Sequence, residues 1–79
     1  MKVIEVLGPG CGECLKLELA AARAAASAGV EVEVRKVTDD RRIRAYGVTN
    51  TPGLVIDGTV ASTGRVPSIA EIAGWLLAA

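Results

Sequence analysis

Val3-Ile4-Glu5-Val6-Leu7-Gly8-Pro9-Gly10-Cys11-Gly12-Glu13-Cys14 is the stretch from which the fold can be read. A short run that is apolar except for Glu5 gives way to a Gly-Pro-Gly break, and then to a long segment rich in alanine and leucine. That order reads as strand, tight loop, helix, with Cys11 at the helix start and Cys14 in its first turn. A helix N-terminus carries partial positive charge and unpaired N–H groups, so it favours a thiolate placed there. Cys11 and Cys14 are the only cysteines, and one helical turn separates them, close enough to form a disulfide. In an intracellular protein, C-x-x-C beside a βαβ pattern is a redox motif. The pair is a poor structural staple, because so small a loop barely constrains the unfolded chain.

The composition sets the frame around this stretch. Seventy-nine residues make a single domain, 1–79, that buries about 60–65% of its unfolded surface. Half the residues are hydrophobic, yet Phe is absent and Tyr46 and Trp75 are the only aromatics, so the core is aliphatic. Nine basic residues balance nine acidic ones, which argues against a nucleic-acid or anionic-membrane surface. No apolar run is long enough to span a bilayer, and the N-terminus does not read as a signal peptide. The expected location is the cytoplasm.

Reading onward, residues 12 to 28 form the longest helix, ended by Gly29 at C′. Leu17, Ala21, Ala24 and Ala28 make one apolar stripe and Leu15, Leu19, Ala22 and Ala26 a second. One stripe packs on the sheet; the other is expected to be tolerated apolar surface, a packing face under a loop, or a contact for a weak dimer. Val30-Glu31-Val32-Glu33-Val34 alternates as a half-buried strand does, parallel to the first and suited to a sheet edge. Asp39 and Asp40 are N-cap candidates for a short, arginine-rich helix ending at Tyr46-Gly47. Asp57-Gly58 is a hairpin signal between Leu54-Val55-Ile56 and Thr59-Val60-Ala61-Ser62. Ser68-Ile69-Ala70-Glu71 is a capping box opening a last helix, whose core stripe is Ile69, Ile72, Ala73 and Leu76, with Trp75 packing on its flank. The resulting order is β-α-β-α-β-β-α, an α/β fold with a four-stranded mixed sheet and helices on both faces. Glu5 has two readings: a polar residue near a sheet end, or a partly buried acid that accepts the proton of Cys14.

Two separated motifs, Cys11-Gly12-Glu13-Cys14 and Tyr46-Gly47-Val48-Thr49-Asn50-Thr51-Pro52-Gly53-Leu54-Val55-Ile56-Asp57-Gly58, resemble the active-site turn and the cis-proline loop and hairpin of the thioredoxin superfamily in its small glutaredoxin-like form. The tail from Gly64-Arg65-Val66-Pro67-Ser68 to Trp75-Leu76 is similar to small "redox-active disulfide" proteins of that superfamily, so the resemblance covers essentially the whole chain. It implies a thioredoxin-like fold with Cys11 as the exposed nucleophile and Cys14 as the buried resolving thiol. It further implies that Pro52 is cis and that Thr51 pairs with the substrate backbone; Gly10 and Gly12 are expected to bind substrate with them. Glu5 precedes Cys11 by the spacing at which thioredoxins hold a buried acid, which supports its proton-acceptor reading. The chain departs from the pattern in three places. Gly10 stands where thioredoxins usually carry Trp and Gly12-Glu13 replaces Gly-Pro; Glu5 is longer than the Asp usual at its place; and Gly64-Arg65-Val66-Pro67 occupies the region where classical glutaredoxins hold an acidic pair for glutathione. Glu13 disfavours a nearby thiolate, and Lys16 can offset it.

The expected function is thiol–disulfide oxidoreduction on a protein or small-molecule disulfide. It needs no bound cofactor or metal, and it is supplied with electrons by a thioredoxin-reductase-like donor rather than by glutathione. Two other classes also fit C-x-x-C: a metal-carrier domain and a non-catalytic module whose thiols sense redox state. Small copper carriers follow β-α-β-β-α-β order and end in a strand, unlike this capped helix. A zinc site needs four ligands, and two thiolates without histidine supply them only in a dimer.

Overall fold

The N-terminal apolar run forms β1 (Lys2–Leu7) in a computed structural model of the chain that describes residues 1–9 and 12–78. Strand side chains alternate between faces. Ile4 and Val6 therefore enter the larger of two cores while Leu7 enters the smaller.

Helix α1 (Gly12–Ala28) follows, with Leu17, Ala21 and Ala24 fully buried in the larger core. The second stripe faces solvent: Leu15 and Leu19 are each 53% exposed. Gly29, at φ +69°, ends the helix in a Schellman motif in which the Val30 N–H donates to the Ala25 carbonyl and the Gly29 N–H to that of Ala26. This closure takes Val30 out of the following strand. The alternating segment read as starting there is instead β2 (Val32–Val37), shifted toward the C-terminus. β2 runs parallel to β1 in a register from Lys2 opposite Val32 to Leu7 opposite Val37, so β1 sets its length. It is an edge strand, and exposed Arg35 and Lys36, more than glutamates alone, supply the charge that guards the edge.

Asp39 caps α2 (Asp40–Ala45) by accepting the Arg41 N–H at 2.9 Å, and Gly47 at φ +77° follows the C-cap residue Tyr46. β3 (Gly53–Ile56) and β4 (Thr59–Thr63) form a hairpin whose turn residues Asp57 and Gly58 have φ of +48° and +83°, the left-handed pair of a type I′ turn. A bulge between Leu54 and Val55 in the register leaves Ala61 as the extra residue of β4. The Asp57 carboxylate accepts the Val3 N–H at 2.8 Å and so fastens the turn to β1.

The sheet order is β2-β1-β3-β4, with β3 antiparallel to β1. α3 (Ile69–Leu77) opens on a complete capping box between Ser68 and Glu71 and packs on α1, burying Ile72 and Leu76; Ile69, expected in that stripe, is exposed. Trp75 packs at the margin of the same core. α2 covers the other face through Ile43, against Leu7, Val37, Val48 and Val55. This is the four-stranded mixed sheet with helices on both faces that the element order implies.

Candidate functional site

Strand β1 ends and α1 begins at one edge of the molecule, and the loop before β3 returns to the same place because β3 pairs antiparallel with β1, Leu7 opposite Gly53. Cys14 lies in the first turn of α1 and is 5% exposed, packed into the larger core. Its sulfur sits against Gly8. A Cβ built at Gly8 would fall on Cys14 Sγ, and the same point is 3.7 Å from the Thr51 Cβ. Gly8 extends the parallel ladder by donating its N–H to the Val37 carbonyl at 3.0 Å. It is glycine for space: its φ is not in the left-handed region. Cys14 and Gly8 therefore meet Thr51, distant in sequence, at one point.

The Thr51–Pro52 peptide bond is cis. Thr51 is exposed and Pro52 buried. The Pro52 carbonyl accepts the Gly64 N–H at 2.9 Å, and Gly64, at φ +75°, lies close enough to Asn50 that an added Cβ would come within 3.3 Å of the Asn50 Cβ. The loop is thus fixed from the β4 side by backbone contact. Gly12 is the exposed first residue of α1, with open space where a side chain would stand. Gly10 and Cys11 lie outside the described residues.

Charge near the start of α1 is balanced. Glu13 pairs with Lys16 at 3.3 Å on the exposed side of the first turn. Arg65, in the segment that replaces the glutaredoxin acidic pair, is held by Glu71 through two bonds of 3.2 and 2.9 Å. The guanidinium of Arg65 and the backbone N–H of Ser68 together hold the Glu71 carboxyl down at about 2.

The expected approach of Glu5 to Cys14 is not what the fold builds. Glu5 is buried, 8% exposed, but its neighbours in β1 alternate: Ile4 and Val6 share the Cys14 core, whereas Glu5 points with Leu7 toward α2. There its Oε1 accepts the Tyr46 hydroxyl at 2.7 Å, and its Oε2 accepts Arg42 at 3.4 Å. The bond to Glu5 raises the Tyr46 pKa above its ordinary value. The reading of Glu5 as a merely polar sheet-end residue fails too, since its carboxylate is buried and specifically bonded.

A groove of about 460 Å³ runs alongside, lined by Pro9 of the first loop, Asp40, Ile43 and Arg44 of α2, and Val48 and Thr51 of the loop before Pro52. Ile43 and Val48 give it an apolar part, and threonine hydroxyls and the Asp40–Arg44 ion pair a polar one. Two residues in this region were not assigned from sequence. Gly8 resembles an ordinary turn glycine there, and nothing local marks it as the seat of a sulfur. Tyr46 reads as the end of the short helix and the start of the second motif, and as the single tyrosine of a nearly aromatic-free chain; its bond to Glu5 has no local signal. Among the described residues no group of acidic, cysteine or histidine side chains is arranged to hold a metal ion, and no helix is long and apolar enough to cross a membrane.

Known proteins resemble the chain along most of its length. The family model described as "Thioredoxin domain" matches residues 2–77. A protein named thioredoxin from Methanothermobacter thermautotrophicus is 38% identical over 72 residues, covering 91% of this chain and 94% of that protein. A second so named, from Methanocaldococcus jannaschii, is 35% identical over 72 residues, covering 91% of this chain and 83% of that protein.

Proposed function

This chain belongs to the thioredoxin family, a family of thiol–disulfide oxidoreductases, and on that premise we propose that it reduces or exchanges disulfides through Cys11 and Cys14 by way of a mixed disulfide. The observation that carries the reading is the meeting of Cys14, Gly8 and the Thr51–Pro52 loop at the start of α1. A resolving thiol needs to be shielded from solvent yet close to the attacking one, and the substrate segment needs to be held still.

In the proposed reaction, the Cys11 thiolate attacks one sulfur of a substrate disulfide. The Cys11–substrate S–S bond forms as the substrate S–S bond breaks, and the first substrate sulfur leaves as a thiolate that takes a proton from solvent. Cys14, deprotonated in turn, attacks Cys11 Sγ and releases the second substrate thiolate. The substrate gains two electrons and the Cys11–Cys14 pair loses two. A thioredoxin-reductase-like donor returns them in a reducing cytoplasm. Thr51 offers its backbone to the substrate chain beside Pro52, and Gly10 and Gly12 take part in substrate binding. Glu5 has no proton step in this scheme, because its carboxylate is bonded to Tyr46 and Arg42. A metal-carrier reading has less support: the elements run β1-α1-β2-α2-β3-β4-α3 rather than β-α-β-β-α-β, and Cys14 is buried against Gly8.

The test is trapping. With a polypeptide disulfide such as insulin as substrate, Cys14→Ser accumulates a covalent mixed disulfide on Cys11, seen as a mass adduct that dithiothreitol removes. Cys11→Ser forms no adduct and has no turnover. An active Cys11→Ser variant would overturn the proposal.

A further inference from the structure

The Glu5–Tyr46 bond has no part in the thiol exchange, and burying a carboxylate is costly unless something is gained by bonding it. Its position shows what is gained. Tyr46 is the C-cap of α2 and the start of the segment that runs through Gly47 and Val48 to Thr51–Pro52. From the β4 side that segment is fixed by Gly64. From the α2 side, Val48 is buried among Leu7, Val37 and Ile43, and the polar fastening is the 2.7 Å bond from the Tyr46 hydroxyl to Glu5, backed by Arg42 at 3.4 Å. α2 has only six residues, too short to hold its own shape without tertiary support. It nevertheless forms one wall of the groove beside Thr51, through Asp40, Ile43 and Arg44.

We propose that Glu5 and Tyr46 are positioning residues for polypeptide substrates: the bond between a β1 carboxylate and the α2 C-cap hydroxyl holds the groove wall and the Thr51–Pro52 loop in binding geometry, without touching the reacting sulfurs. The inference rests on the disulfide-exchange reading above. It separates two properties usually changed together, thiol reactivity and substrate docking. A small disulfide that meets Cys11 alone does not use the groove. A polypeptide disulfide does.

The experiment compares insulin, as the polypeptide disulfide, with 5,5′-dithiobis(2-nitrobenzoate), as the small one, on Tyr46→Phe, Glu5→Leu, Glu5→Gln and the double variant Glu5→Leu/Tyr46→Phe. Tyr46→Phe keeps the ring and removes the donor. It raises KM for insulin about three- to tenfold, the share of a charge-assisted hydrogen bond that reaches the loop. The kcat for insulin, the rate with the small disulfide and the rate of Cys11 alkylation stay at the wild-type level. Glu5→Leu behaves alike, the double variant is no worse than either single one, and Glu5→Gln recovers most of the loss because its amide oxygen still accepts the hydroxyl. An unchanged KM for insulin in Tyr46→Phe would overturn the inference. So would equal losses on both substrates with a lowered Tm, since that marks a general structural role. Slowed Cys11 alkylation in Glu5→Gln would return Glu5 to the thiols. Failure of the underlying reading looks different: turnover by Cys11→Ser, whatever Tyr46 does.

Discussion

The two faces of the sheet are built by different means. On the α1/α3 face, alanines at 21 and 24 let the helix lie close, Leu17, Leu54 and Ile72 fill the space, and Cys14 is seated against the bare backbone of Gly8. That face is specified by shape. On the α2 face the apolar core is only Leu7, Val37, Ile43, Val48 and Val55, and a six-residue helix is held over it with the help of a buried carboxylate and a tyrosine hydroxyl. That face is specified in part by hydrogen bonds. The difference matches the tasks. The resolving role proposed for Cys14 calls for an invariant, dry seat, which close packing supplies. The groove wall needs a defined position on a small core, and a directional bond sets position at little cost in area.

The comparison can be broken most directly by truncation. Leu17→Ala, at a fully buried site, is expected to destabilise by about 2–5 kcal/mol, and Ile43→Ala on the smaller core by about 2 kcal/mol, the low end of that range. Urea unfolding monitored by Trp75 fluorescence measures both, and a larger loss at Ile43 would reverse the ranking of the two faces. Next in size is Gly8→Ala, whose methyl displaces Cys14 Sγ: about 1–3 kcal/mol of overpacking, together with a shift in the redox midpoint of the dithiol. An unchanged midpoint and stability would show that Gly8 does not seat the sulfur.

A smaller effect lies in the acid range. Glu71 is held from an ordinary value near 4.5 down to about 2 by Arg65 and the Ser68 N–H. A depressed carboxyl stabilises the fold above its unfolded pKa and loses that contribution as pH falls through the folded one. Stability therefore declines between about pH 4.5 and 2 in the wild type. Acid titration of Glu71→Gln, which lacks this group, shows a shallower decline there, and an identical slope would remove Glu71 from the account. Leu19→Gln should change least, within about 0.5 kcal/mol, because Leu19 is 53% exposed on the face of α1 that nothing in the fold covers. Sedimentation of the same variant asks whether that stripe joins copies of the chain, since a loss of self-association on Leu19→Gln would make it a contact rather than tolerated surface.

Most of the architecture is legible in the residues themselves. Helix α1 is read with both ends placed, because Ala-rich propensity and a C′ glycine are local signals. The hairpin, the capping box and the Asp39 cap are legible for the same reason: each is a contact between residues a few positions apart. β2 begins two residues after its alternating pattern does, because strand limits come from the partner. The alternation of Val30 to Val34 is real, but the Schellman closure and the register with β1 decide where pairing begins. Cys14 and Pro52 could be singled out by motif and spacing. Glu5 could be singled out, but its partner could not. A period of two tells which residues share a face, and only the packed helices tell which face is which.

The residues by themselves therefore determine what short-range chemistry carries: the order of elements, their caps and turns, an aliphatic core, and a cysteine, Cys14, in the first turn of α1. What the tertiary structure decided is which distant groups meet. It set Thr51 beside Cys14 and Gly8, and it turned Glu5 toward Tyr46 on the face of the sheet opposite Cys14. The physical reason is that local preferences are fixed by bonds and sterics within a few residues, while contacts between β1, α2 and the loop before β3 depend on strand register and helix placement. No window of sequence contains those.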